Sequence, residues 1–131
     1  MIRREAINWL KEANYDLRRA RRSLNDGDYA LCVFMAQQAV EKAFKAIIIG
    51  IKHKPQPRTH DLTVLYNEVK DALPLPNEVA DRLPTLSQYY VTSRYPNAGL
   101  EVPSESISRT QAEEALNVAE AIINHASKLL T

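Results

Sequence analysis

Apolar side chains return every three or four residues through most of this chain, and nowhere do they alternate with polar ones over the length of a strand. That spacing winds one apolar stripe along a helix, whereas a half-buried strand needs a period of two. The expected fold class is therefore all-α. The first stripe covers residues 3–24 through Ala6, Trp9, Leu10, Ala13, Leu17, Ala20 and Leu24. Arg18, Arg19, Arg21 and Arg22 fan across the opposite side. Asn25-Asp26-Gly27-Asp28 then supplies a helix stop, a turn and, in Asp28, an N-cap for the next helix.

The second stripe runs from Tyr29 to about Ile51 and is flanked by a further apolar strip of Cys32, Met35, Ala39 and Ala46. So wide an apolar arc marks a central helix that touches several neighbours, with Gln38, Glu41, Lys42 and Lys45 on its narrow polar strip. Two prolines in Lys52-His53-Lys54-Pro55-Gln56-Pro57-Arg58 break the pattern into a basic loop. Asp61 caps a short third helix that ends at Pro74-Leu75-Pro76. A fourth helix from about Asn77 carries Val79, Leu83, Leu86 and Tyr90 inward and should kink at Pro84. Residues 95–108 read as a loop, after which Ser108 with Gln111, or Thr110 with Glu113, forms a capping box for the last helix. The whole is an antiparallel up-and-down helical bundle of four to five helices, one domain over residues 1–131.

Composition removes several kinds of chemistry. Cys32 is the only cysteine, so neither a disulfide nor a multi-cysteine zinc site can form within the chain, and a buried thiol on the central helix should be inert. Glycines stand only at 27, 50 and 99, too sparse for a phosphate-cradling glycine loop. His53, His60 and His125 form no paired metal-ligand spacing; packing or a local hydrogen bond accounts for His60, and His125 borders an apolar face. No apolar run is long enough to span a membrane and no secretory segment opens the chain, so the expected location is the cytoplasm, with no membrane partner.

The net charge of +1 hides an asymmetry: residues 1–58 hold twelve Lys/Arg and six Asp/Glu, residues 59–131 five and ten. If the halves pack together, part of this is internal complementarity; otherwise the basic half is an anion surface. The arginine cluster late in the first helix serves the helix dipole or binds phosphate, and no aromatic residue interleaves it as a stacking platform.

The most informative cluster is Tyr90-Val91-Thr92-Ser93-Arg94-Tyr95-Pro96. Tyr90 and Arg94 share a helix face, and Pro96 leaves Arg94 at the helix end. There an arginine either caps free carbonyls or, with aromatic faces beside it, holds a phosphate and stacks a base. Together with Ala36-Gln37-Gln38-Ala39-Val40-Glu41-Lys42-Ala43-Phe44-Lys45-Ala46 and His60-Asp61-Leu62, this cluster resembles the HEPN family (higher eukaryotes and prokaryotes nucleotide-binding) over nearly the whole chain.

That resemblance implies a helical bundle, commonly a homodimer, working beside a separate minimal nucleotidyltransferase protein in toxin–antitoxin or defence modules. The expected ligand is a nucleotide such as ATP, or RNA, on a site built from Arg94, Tyr90 and Tyr95, with Lys42, Lys45 and His60 beside them. Many members of the family are ribonucleases that use an Arg followed, after four to six residues, by a His, and none of the three histidines here has an arginine at that distance. The expected role is thus binding rather than catalysis. Two rivals stand beside it: a ribonuclease pairing Lys54 or Arg58 with His60, and a protein-docking module using Leu31, Phe34 and Ile49.

Overall fold

The computed structural model describes residues 3–131, and within them every regular element is helical. The order is α1 (Arg4–Asn25), α2 (Tyr29–Gly50), α3 (Leu62–Val69), α4 (Asn77–Ala80), α5 (Leu83–Thr92), α6 (Pro103–Ser106) and α7 (Arg109–Leu130). The long helices α1, α2 and α7 pack against one another, while α3 and α5 pair with each other and cover a further side of α2. This arrangement makes α2 the axis of the bundle. Its Val33, Ala36, Ala39, Val40, Ala43, Phe44 and Ile47 are all fully buried, and the alanines among them let neighbouring helices approach closely.

The helix ends follow from local chemistry. Asp28 accepts a hydrogen bond from the Leu31 amide, and Gly27 takes the positive φ (77°) that lets the chain leave α1. Asp61 accepts from both the amide and the hydroxyl of Thr63. Ser108 and Gln111 close a reciprocal capping box at the start of α7, the first of the two boxes that the sequence offers.

Three expectations need correction. Pro84 does not kink a continuous helix: the chain breaks into α4 and α5, with Pro84 in the first turn of α5. Proline lacks the amide that would reach back to Ala80 and its ring would strike that carbonyl, so a fresh helix start is the cheaper solution. Within α5 the buried face runs through Leu83, Leu86 and Tyr89, and Tyr90, expected inward, is only half-buried. The segment 95–108 is not wholly loop, because α6 forms one turn behind Pro103. Ile49 is fully buried and cannot serve a docking patch, and Phe34 is partly covered, leaving Leu31 as the exposed member of that trio.

Part of the charge asymmetry is met by ion pairs at the surface of the bundle. Arg21 on α1 meets Glu120 on α7 at 3.1 Å, Lys54 lies 3.8 Å from Glu68, and Lys52 pairs with Asp71. Each contact joins the basic half to the acidic half.

Candidate functional site

The site begins with a carboxylate inside the bundle. Glu41 lies midway along α2 and is only 4% exposed, an unfavourable place for a charge unless partners replace its water. Four side chains do so. Lys45, one turn on and equally buried, brings Nζ to 3.0 Å from Oε2. Gln37 and Gln38 donate from Nε2 to Oε1 at 3.2 and 3.5 Å. The fourth partner is remote in sequence: Nδ1 of His60 stands 2.9 Å from Oε1.

His60 lies between the basic loop and α3, and the structure holds it from two directions. Gln37 Nε2 donates to its backbone carbonyl at 3.0 Å, and the Asp61 cap beside it fixes the start of α3. An ionised carboxylate only accepts, so the contact with Glu41 assigns the hydrogen to Nδ1 and leaves Nε2 as the outward nitrogen. The imidazole is about half exposed (49%). The Thr63 hydroxyl, first among several hydrogen bonds, holds the neighbouring Asp61 carboxyl below the usual aspartate range.

One face of the imidazole is stacked on Tyr90, with ring centroids 3.8 Å apart and planes 13° from parallel. Tyr90 in turn carries Arg94, whose Cζ is 4.4 Å from the tyrosine centroid, 4.5 Å from Phe34 and 4.9 Å from Tyr95. Arg94 Nε donates to the Tyr90 carbonyl at 2.8 Å. This is the cationic helix cap expected from sequence, but it uses one donor and leaves the terminal Nη groups without a hydrogen-bond partner among the described residues. Beside the column lies an open groove of about 550 Å³ whose wall includes His60, Asp61, Thr63, Ser87 and Tyr90. Arg94 stands off that wall, on the Phe34 and Tyr95 side of Tyr90.

The structure thus brings His60, Tyr90, Arg94 and Tyr95 together and separates the two lysines from them. Lys42 points to α1, where Nζ stands 2.7 Å from Oδ2 of the buried Asp16 as a charge contact, with Arg19 at 2.7 Å from the other oxygen. Lys45 reaches the site only through Glu41 and is itself buried, so its ammonium is already neutralised. Neither lysine offers a free cation to a ligand at Arg94. Lys54 pairs with Glu68, the partner of the His60 ring is the Glu41 carboxylate, and no hydrogen bond joins Arg58 to His60 among the described residues. Tyr90 is not a free stacking surface either, because His60 and Arg94 already lie on it; the outer face of His60 and the half-exposed Tyr95 ring (51%) are.

Sequence reasoning missed Glu41 and Phe34 as members of the cluster. The available signal was the spacing Gln37, Glu41, Lys45, a polar line four residues apart through an otherwise apolar helix. It likewise missed the aromatic neighbour of the α1 arginines: Arg18 and Arg19 both hold Cζ 4.9 Å from the Tyr15 ring centroid. Cys32 is fully buried near the Ala112 carbonyl, and desolvation, with Asp28 adding to it, pushes its thiol up to about 11. Among the described residues no three His, Cys, Asp or Glu side chains gather as a metal ion would require, and no helix is long and apolar enough to cross a membrane.

Residues 6–129 match the family model of the HEPN domain. Two solved structures share the architecture. The crystal structure of TT1696 from Thermus thermophilus is similar over 98% of this chain and 100% of its own, with 32% identity and a TM-score of 0.86. That of ST0689, an archaeal HEPN homologue, covers 96% of this chain and 98% of its own, with 28% identity and a TM-score of 0.77. No curated protein sequence matches the chain.

Proposed function

The chain belongs to the HEPN domain family, and on that footing we propose that it is a nucleotide-binding module in which Arg94 takes a phosphate and His60 and Tyr95 offer the surfaces on which a base stacks. One observation carries this reading: the His60–Tyr90–Arg94 column ends in a guanidinium with unused planar donors, and its other members, His60 and Tyr90, border a groove wide enough for a small polar ligand. Tyr90 is the spacer that sets the distance between the two ends. Glu41 positions the imidazole without touching the ligand.

Calorimetric titration with ATP tests the site. The wild type binds, Arg94→Ala binds at least tenfold more weakly, and Tyr95→Ala loses less. Equal affinity in wild type and Arg94→Ala would remove the phosphate from Arg94. From the family we further propose that the chain acts as a homodimer beside a separate minimal nucleotidyltransferase; light scattering and co-purification read those two points.

A second reading, RNA cleavage with His60 as general acid or base, is favoured by the Glu41 contact alone, since a buried carboxylate on Nδ1 fixes the tautomer that leaves Nε2 to take a proton. RNA left intact at high protein concentration counts against it. Cleavage abolished in His60→Ala and reduced in Glu41→Gln would establish it.

A further inference from the structure

The solvent face of α1 lies apart from the column. At 100° per residue, Arg4, Lys11, Tyr15, Arg18 and Arg22 fall within an arc of about 60°, opposite the buried stripe, and span about 27 Å of helix. All five are exposed. No other residue of α1 falls in that arc, so it contains no carboxylate; Glu12, the nearest acid of the helix, lies about 60° beyond its edge.

Ion pairing separates the α1 cations into two sets. Arg19 and Arg21 are bound to Asp16 and Glu120. Arg4, Lys11, Arg18 and Arg22 have no acidic partner within 4.0 Å among the described residues. The helix dipole accounts only for Arg22, in the last turn; Arg4 opens the helix, where a cation is disfavoured, and Lys11 sits mid-helix. Like charges at Arg18 and Arg22, one turn apart, also repel. Folding alone therefore does not explain the stripe.

Tyr15 in the middle of it distinguishes the ligand. The residue is 47% exposed, with the Arg18 and Arg19 guanidinium carbons each 4.9 Å from its ring centroid, and forms part of the wall of a shallow depression of about 560 Å³ together with Lys11 and Arg18, with Glu12 also on that wall. An acidic protein surface would use the cations but has no need of an exposed phenol ring. A polymer that carries both a phosphate line and flat bases uses both. We propose that this face of α1 binds single-stranded nucleic acid, with Lys11, Arg18 and Arg22 along the phosphates, Arg4 extending the track, and Tyr15 stacking a base in the place that the Arg18 guanidinium gives up when it turns from the ring to a phosphate.

Fluorescence anisotropy with a labelled single-stranded oligouridylate, across a salt series, tests this on the full chain. The wild type binds with an affinity that falls as salt rises. The variant carrying Arg18→Gln and Arg22→Gln shows a log–log salt slope shallower by about 1.4, since each phosphate contact on a single strand contributes about 0.7. Tyr15→Ala keeps the slope and weakens binding about tenfold, within the range for one stacked base. The Arg18→Gln, Arg22→Gln variant keeps the wild-type ATP affinity in calorimetric titration, which separates this surface from the nucleotide site. Absence of binding at low salt, or binding that the α1 variants leave untouched, overturns the proposal. Polyglutamate bound as tightly as the oligonucleotide, with no effect of Tyr15→Ala, would assign the face to an acidic protein instead.

Discussion

Two buried carboxylates on α1 and α2 solve the same problem with opposite results. Asp16 and Glu41 are each less than 5% exposed, and each takes a lysine of α2, Lys42 and Lys45 respectively. Around Asp16 the partners are Lys42 and Arg19, so the charge is neutralised at the seam between α1 and α2. Around Glu41 one oxygen is spent on Lys45 and the other on an imidazole that reaches solvent, stacks on Tyr90 and through it adjoins Arg94. The first arrangement holds two helices together. The second adds a positioned surface group, and that difference marks the Glu41 neighbourhood as the candidate site.

Deleting one partner at each carboxylate separates the two regions most strongly. Lys45→Ala leaves Glu41 charged and deprived of its buried counter-ion, so denaturant unfolding should register a loss of about 3–5 kcal/mol. Lys42→Ala costs about 1 kcal/mol, because Arg19 remains on Asp16 and Lys42 is itself partly solvated. Equal losses would mean that the two carboxylates are equivalent. Replacing the pair together, Glu41→Leu with Lys45→Met, should recover most of the stability lost in Lys45→Ala while leaving ATP affinity reduced, since His60 no longer has its anchor. A double variant that recovers binding as well would show that Glu41 is purely structural.

A smaller effect is expected at Arg94. Its cation–π contacts are on the surface, so Arg94→Ala should lower stability by about 1 kcal/mol or less in a thermal melt, far below its effect on nucleotide affinity. A loss comparable to that of Lys45→Ala would recast Arg94 as a core brace. The smallest effect concerns pH at the cap beside His60. Hydrogen bonds hold the folded Asp61 carboxyl below its ordinary value of 3.8, so its stabilisation is complete above that value and disappears as pH falls through the lower folded one. Asp61→Asn preserves the cap without the charge; its melting temperature should therefore fall less steeply on acidification than that of the wild type. Parallel curves would contradict the shift.

The reach of the sequence reading tracks how local each interaction is. Asp28, Asp61 and the Ser108–Gln111 box were legible because a cap and its amides lie within three residues. Tyr90 and Arg94 were legible because one turn places them on one face. The role of Glu41 was not, because its defining partner, His60, is brought to it across a proline-broken loop and no periodicity encodes that meeting. Lys42 and Lys45 looked alike on one polar strip. They differ by about 60° around α2, enough to send one to Asp16 and the other to Glu41. Tyr90 was misplaced inward because Tyr89 and Tyr90 both lie within one turn of Leu86, and the spacing of Leu83 and Leu86 does not choose between them.

The central claim is that one ligand engages the imidazole and the guanidinium at the two ends of the Tyr90 spacer. The most direct measurement is the NMR signal of the His60 ring during titration with ATP. In the wild type it shifts progressively to saturation, and in Arg94→Ala the shift at the same ATP concentrations falls severalfold. A His60 signal that stays fixed while ATP binds, or that moves equally in both proteins, contradicts the account.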